Sequence, residues 1–146
     1  MNVKPGTLCL LLALAAGAAY ADKSVARKDL PPAVEKTVAR ELEGATLKGI
    51  AVEKCAGQTC YEVETMRGTK TRDLIVDSAG TVVEVEEQME IADLPDVVKT
   101  AAGKFGTIAT AEKLMINGAV TYEVVTKKGS GKSEHVFLAD GTIKGK

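Results

Sequence analysis

The 146-residue sequence predicts an α+β fold: two tandem repeats, each one helix followed by a three- to four-stranded antiparallel meander. Three observations carry this. Asp29-Leu30-Pro31-Pro32-Ala33-Val34 returns as Asp93-Leu94-Pro95-Asp96-Val97-Val98. Gly57 with Tyr61-Glu62-Val63 returns as Gly118 with Tyr122-Glu123-Val124, and Gly80-Thr81 returns as Gly141-Thr142. Between these markers the apolar spacing shifts from helical to alternating, as it must where a helix gives way to half-buried strands.

The N-terminus reads as an export signal. Lys4 supplies a positive charge, Leu8 to Ala16 an apolar core, and Ala19-Tyr20-Ala21 a small-residue cleavage site ahead of Asp22. The apolar run is shorter than the roughly 20 residues that a membrane span needs. Cys9 lies inside the run with no small-residue approach, so a lipid-anchored cysteine is not expected. The expected divisions are a signal peptide over 1–21, a first repeat over 22–92 and a second over 93–146, in a periplasmic or secreted protein. Residues 22–28 are polar and expected to be loose, as is Lys144-Gly145-Lys146.

Each repeat opens with a helix. Leu30, Val34, Val38 and Leu42 recur every fourth residue, with Pro31 and Pro32 in the first turn, where a missing amide costs nothing. Asp29 is placed to cap the early amides and Gly44 to stop the helix. The second helix presents Leu94, Val97, Val98, Ala101 and Phe105, between Asp93 and Gly106. Strands are expected at about 47–55, 60–67, 71–77 and 81–87, then at about 108–116, 119–127, 132–138 and 142–144. In the second of these, Tyr61, Val63 and Thr65 alternate with Glu62 and Glu64.

Charge and cysteine content narrow the function. Removing residues 1–21 takes only Lys4 from the charged groups, leaving 18 basic against 20 acidic. Nucleic acid is therefore not an expected partner, since phosphate binding needs a basic excess. No basic amphipathic stretch supports membrane binding either, and stable membrane insertion after signal cleavage is not expected. With no Trp and two Phe, the core must come from Val, Leu, Ile and Ala. Cys55 and Cys60 flank the turn signal Ala56-Gly57-Gln58-Thr59 and read as a disulfide candidate in an oxidising compartment. The rival reading is a redox or metal pair, but zinc would need two further ligands and none is near in sequence.

These residues resemble a family. Leu30-Pro31, Tyr61-Glu62-Val63 and Val76-Asp77-Ser78-Ala79-Gly80, with Leu94-Pro95, Tyr122-Glu123-Val124 and Phe137-Leu138-Ala139-Asp140-Gly141, look like the PepSY-like domains of bacterial envelopes. That group is similar in plan to the β-lactamase-inhibitor proteins. The resemblance covers nearly the whole mature chain and implies an extracytoplasmic binding or inhibitory module without catalytic residues or cofactor. The cysteine pair departs from it, having no counterpart in the second repeat.

Few residues suggest chemistry. His135 is the single histidine, aligned with Leu74, and reads as a strand position without a nucleophile motif. Gly129-Ser130-Gly131-Lys132-Ser133 lacks phosphate-loop spacing and reads as a hairpin loop. Glu84 to Asp93 concentrates carboxylates without the alternating ligands and central glycine of a calcium loop. Glu84 and Glu86 would share a face, giving a solvated acidic strand edge that discourages aggregation or meets a basic partner.

The expected function is thus a non-enzymatic exported binding module for an envelope protein, including steric inhibition of a peptidase or hydrolase. The partner-binding candidates are Gly57 and Gln58 in the cysteine-closed hairpin, and Lys127, Lys128 and Lys132 in the second loop. No catalytic, cofactor or metal residues are expected. The alternative is a metal- or small-molecule-binding envelope protein, using the carboxylate run or the space between sheet and helices.

Overall fold

A computed structural model describes residues 23–145; the expected signal peptide lies outside the described residues. The strands are β1 (Lys23–Ser24), β2 (Thr46–Cys55), β3 (Gln58–Arg67), β4 (Lys70–Asp77), β5 (Val82–Met89), β6 (Thr107–Ile116), β7 (Ala119–Lys128) and β8 (Gly131–Leu138). Helix α1 (Pro32–Glu41) joins β1 to β2, and α2 (Asp96–Gly103) joins β5 to β6. All eight strands form one antiparallel sheet in chain order.

That topology corrects the expected fold class of two helix-plus-meander repeats. β5 does not end a unit. Its Glu84–Met89 pair with Ala111–Ile116 of β6, so the ladder runs unbroken across the chain. The physical reason lies in the backbone. A strand left as an edge presents a row of unpaired amides and carbonyls, and β6 returns from α2 to satisfy them. The expected acidic edge is corrected with it, because β5 is interior to the sheet.

Alternation within the strands assigns the faces. Ile50, Val63, Leu74 and Val76 pack with Leu30, Val34 and Val38 beneath α1. Ala111, Val124 and Phe137 pack with Leu94, Val98 and Ala102 beneath α2. Both helices therefore cover the same face. Each fully buried side chain of this kind contributes about 1.5–3 kcal/mol.

Several local expectations change. The helices begin one turn later than the aspartates suggest. Asp29 and Asp93 lie in short 3₁₀ turns, and the helix entries at Pro31 and Pro95 have no side-chain cap. Val97 turns outward and is half exposed, while Ala102 takes its place in the core. The segment expected to be loose is anchored: Lys23 and Ser24 pair with Val52 and Ala51, and the Val25 amide donates to the Ile50 carbonyl. At the other end, the predicted strand 142–144 shrinks to one bridge between Ile143 and Phe137, with the Lys144 amide donating to Val136.

Two turns explain glycine positions. Gly80 adopts φ +85°, and a Cβ there would lie 2.5 Å from the Ala33 carbonyl oxygen. The Thr37 hydroxyl donates to the Gly80 carbonyl at 2.6 Å, tying the β4–β5 turn to α1. Replacing Gly80 with Ala should cost about 2–4 kcal/mol through overpacking and left-handed strain, read from the urea midpoint. The β2–β3 turn places Ala56 (φ 48°) and Gly57 (φ 84°) in the left-handed region, as the β6–β7 turn does Asn117 and Gly118. A two-residue hairpin of this type favours Asn-Gly, and alanine pays a steric penalty there. Ala56→Asn should therefore stabilise the protein by about 0.5–1 kcal/mol in the same assay.

Candidate functional site

The face opposite the helices is where chemistry collects. Strand alternation sends Glu62 and Glu64 (β3), Asp73 (β4), Glu84 and Glu86 (β5), Glu112 (β6) and Glu123 (β7) to it. Register then brings like charges into contact rows. Asp73 pairs with Glu64 on one side and Glu86 on the other, and Glu112 pairs directly with Glu123. Such juxtaposition is unfavourable on a sheet unless something compensates. Ile75 and Leu114 are interleaved with the acids and are 2 % exposed. Glu62, Glu84 and Glu123 are themselves buried. This corrects the expectation of a solvated acidic surface.

The basic residues that pair with Glu41 and Glu87 sit on the helix side. Arg72, on the helix side of β4, bridges Glu41 at the end of α1 and Glu87 of β5, each at 3.1 Å. Lys113 of β6 reaches the other oxygen of Glu87 at 3.2 Å. Burial works against ionisation of Glu87, but Lys113 and Arg72 win and hold its carboxyl below the usual range. Among the described residues no ion pair involves Glu84, Glu86, Glu112 or Glu123.

Without such partners, protons stay on. Burial, then repulsion from Glu84, Glu112, Glu123 and Asp73, pushes the Glu86 carboxyl up to about 8. Burial, with Glu134, Glu112 and Glu84, does the same to Glu123, also to about 8. Glu112 is raised by burial and by Asp73 and Glu134. Glu84 is raised by burial, against some relief from Lys144. Asp73 is raised by burial despite accepting the Thr65 amide at 3.1 Å.

The residues anticipated from sequence are not one surface. Cys55 and Cys60 form a disulfide. It runs diagonally across β2 and β3, since Cys55 pairs with Gln58 and Cys60 with Glu53. Gly57 and Gln58 stand exposed at this hairpin's tip. Lys127, Lys128 and Lys132 are exposed around the β7–β8 turn, which lies at the opposite end of the strands and toward the opposite edge of the sheet. With Lys104 and Gly106, Lys127 and Lys128 line a shallow recess of about 480 Å³. His135 belongs to the helix side, stacked on Phe105 with ring centroids 3.9 Å apart. Among the described residues no three His, Cys, Asp or Glu side chains are grouped to hold a metal ion.

No protein-family model matches the sequence, and no curated protein does. Solved structures do. The chain is similar to a Bacteroides eggerthii protein described as periplasmic, at TM-score 0.63 and 15% identity, covering 78% of this chain and 85% of that one. It is similar to a DUF2874 family protein of Bacteroides uniformis, at TM-score 0.61 and 15% identity over 77% and 85%. A BLIP-like protein of Bacteroides fragilis follows at TM-score 0.58 and 16% identity over 80% and 84%. The fold is BLIP-like. The neighbours carry the likeness in plan to β-lactamase-inhibitor proteins but not the PepSY-like assignment. Among the described residues no helix is long and apolar enough to cross a membrane.

The carboxylate face makes stability pH-dependent with a definite sign. Glu86 and Glu123 titrate near 8 when folded and near 4.5 when unfolded, so the folded state holds more protons between those values. Stability then falls as pH rises through that window and recovers on acidification toward pH 5. Glu86→Gln should raise Tm at pH 8.5 by about 4 °C, the effect of about 1 kcal/mol in a domain of this size, and change it little at pH 5. Scanning calorimetry across the pH range checks both the sign and the convergence.

Proposed function

We propose that this protein is an exported, non-enzymatic binding module that receives an envelope protein on the face of its sheet opposite the helices. One observation carries the reading: a broad face of registered carboxylates and interleaved apolar side chains lies opposite both helices. Packing requirements do not explain it, since a face meant only for solvent gains nothing by burying like charges together. Interfaces, by contrast, combine apolar contact with charges that choose the partner. The A-x-A signal at Ala19-Tyr20-Ala21 supports export, as does the periplasmic description of a structural neighbour.

Steric inhibition of a peptidase or hydrolase is the specific form of this reading. Its support is the BLIP-like fold alone, which makes it an argument by analogy. The cysteine-closed hairpin, first on the sequence evidence, becomes a flanking contact at one end of the face.

Site-directed photo-cross-linking checks the surface. Benzoylphenylalanine in place of Val125, on the carboxylate face, should give a defined adduct in envelope extract that excess unmodified mature chain competes away. The same group at Val97, on the outer side of α2, should give none. An adduct from Val97 or Gln58 but not from Val125 would move the docking surface off the sheet.

A further inference from the structure

We propose that Glu84, Glu86, Glu112 and Glu123, together with the Thr121 hydroxyl, form a receptor for a lysine or arginine head group of the docking partner. The inference rests on the docking reading above and gives the partner its chemistry. The first support is placement. Glu112 and Glu123 are direct ladder neighbours, and Glu86 lies on the next strand two residues along the ladder, so the three acids share one stretch of the face.

The second support is independent of the acids. Thr121 lies on the same face of β7 as Glu123, two residues away, and is 4 % exposed. Its neighbours across the ladder are Leu114 and Leu138, and its Oγ1 has no hydrogen-bond partner. A buried hydroxyl normally finds one. Thr121 shares the carboxylate face, so a cationic donor that entered beside Glu123 would meet both the hydroxyl and the glutamates.

The apolar residues make the fit selective for an amphipathic side chain. Leu114 and Val136 are buried on this face beside Thr121 and Glu123, with Ile116 and Val125 half-buried nearby. Lysine and arginine carry a methylene stem that such residues cover while the head meets the acids.

The same acids have raised pKa values, so protons hold part of the charge that a cation would neutralise. The groups that face one another are Asp73, Glu84, Glu86, Glu112, Glu123 and Glu134, with Lys144 beside Glu84 and His135 beside Glu134. An arriving cation favours the ionised carboxylates, so it expels protons and binds more tightly as pH rises.

Titration of the mature chain with n-butylguanidinium, followed by NMR of the glutamate side-chain carboxyls and of Thr121, tests this. Saturable shifts at Glu86, Glu112, Glu123 and Thr121 are expected, with affinity at least tenfold higher at pH 9 than at pH 6. n-Butanol should give none. The isosteric double variant E86Q/E123Q, checked for folding by circular dichroism, should bind at least tenfold more weakly. Shifts that n-butanol reproduces, that persist in the double variant, or that are independent of pH would overturn the proposal. So would calcium chloride giving the same shifts at lower concentration. If the Val125 adduct forms while butylguanidinium does not bind, docking survives and the cationic chemistry fails. Binding of butylguanidinium without that adduct sinks the docking function and leaves the cation receptor standing.

Discussion

The pairing of β5 with β6 is the constraint on which the rest depends. Six registered residue pairs join the strands that precede and follow α2. Because the ladder is continuous, every outward residue on β3 to β7 faces the same way. Because both helices pack on one side, the other side keeps no covering layer from them. Had the strands split into two small sheets, the acids of β3 to β5 would not share a surface with those of β6 and β7. The β8 edge is partly closed as well, by the Ile143 bridge and the Lys144 amide.

The two faces solve the charge problem differently. On the helix side, Arg72 and Lys113 neutralise Glu41 and Glu87, and the network spans the gap between the two apolar cores. On the other side, the same chain places glutamates against glutamates, with Lys144 relieving Glu84. Natural proteins accept such local conflict chiefly where function requires it. The conflict is moderated by retained protons, which is an answer available to carboxylates and not to lysines of like arrangement near neutrality.

Much of this was legible one strand at a time. Alternation in Tyr61-Glu62-Val63 correctly separated core from opposite face, and Leu30, Val34, Val38 and Leu42 named the helix face that packs. Glycine and cysteine spacing located the hairpins and the disulfide. The failures are those of long-range pairing. Nothing local says that β5 meets β6, so Glu84 and Glu86 looked like an edge and were not linked to Glu112 or Glu123. Thr121 had no signal of its own, since its burial follows from Leu114 and Leu138 across the ladder. The aspartates before each helix misled because each ends a 3₁₀ turn, and the extended Leu-Pro step then separates it from the first helical residue. Summing the polar positions that all strands send to one face would have exposed the cluster, given only the assumption of a single sheet.

The retained protons also alter how the molecule looks from a distance. Residues 22–146 carry a modest formal excess of acid, 20 against 18. The raised carboxyls of Glu86 and Glu123 lower that excess near neutral pH, so the net charge of the particle is small. Long-range repulsion between copies is then weak, and colloidal stability falls to the scattered lysines and carboxylates of the helix side and the loops. Approach of a partner is governed correspondingly late in the encounter, by contact with the face and not by steering through bulk solvent.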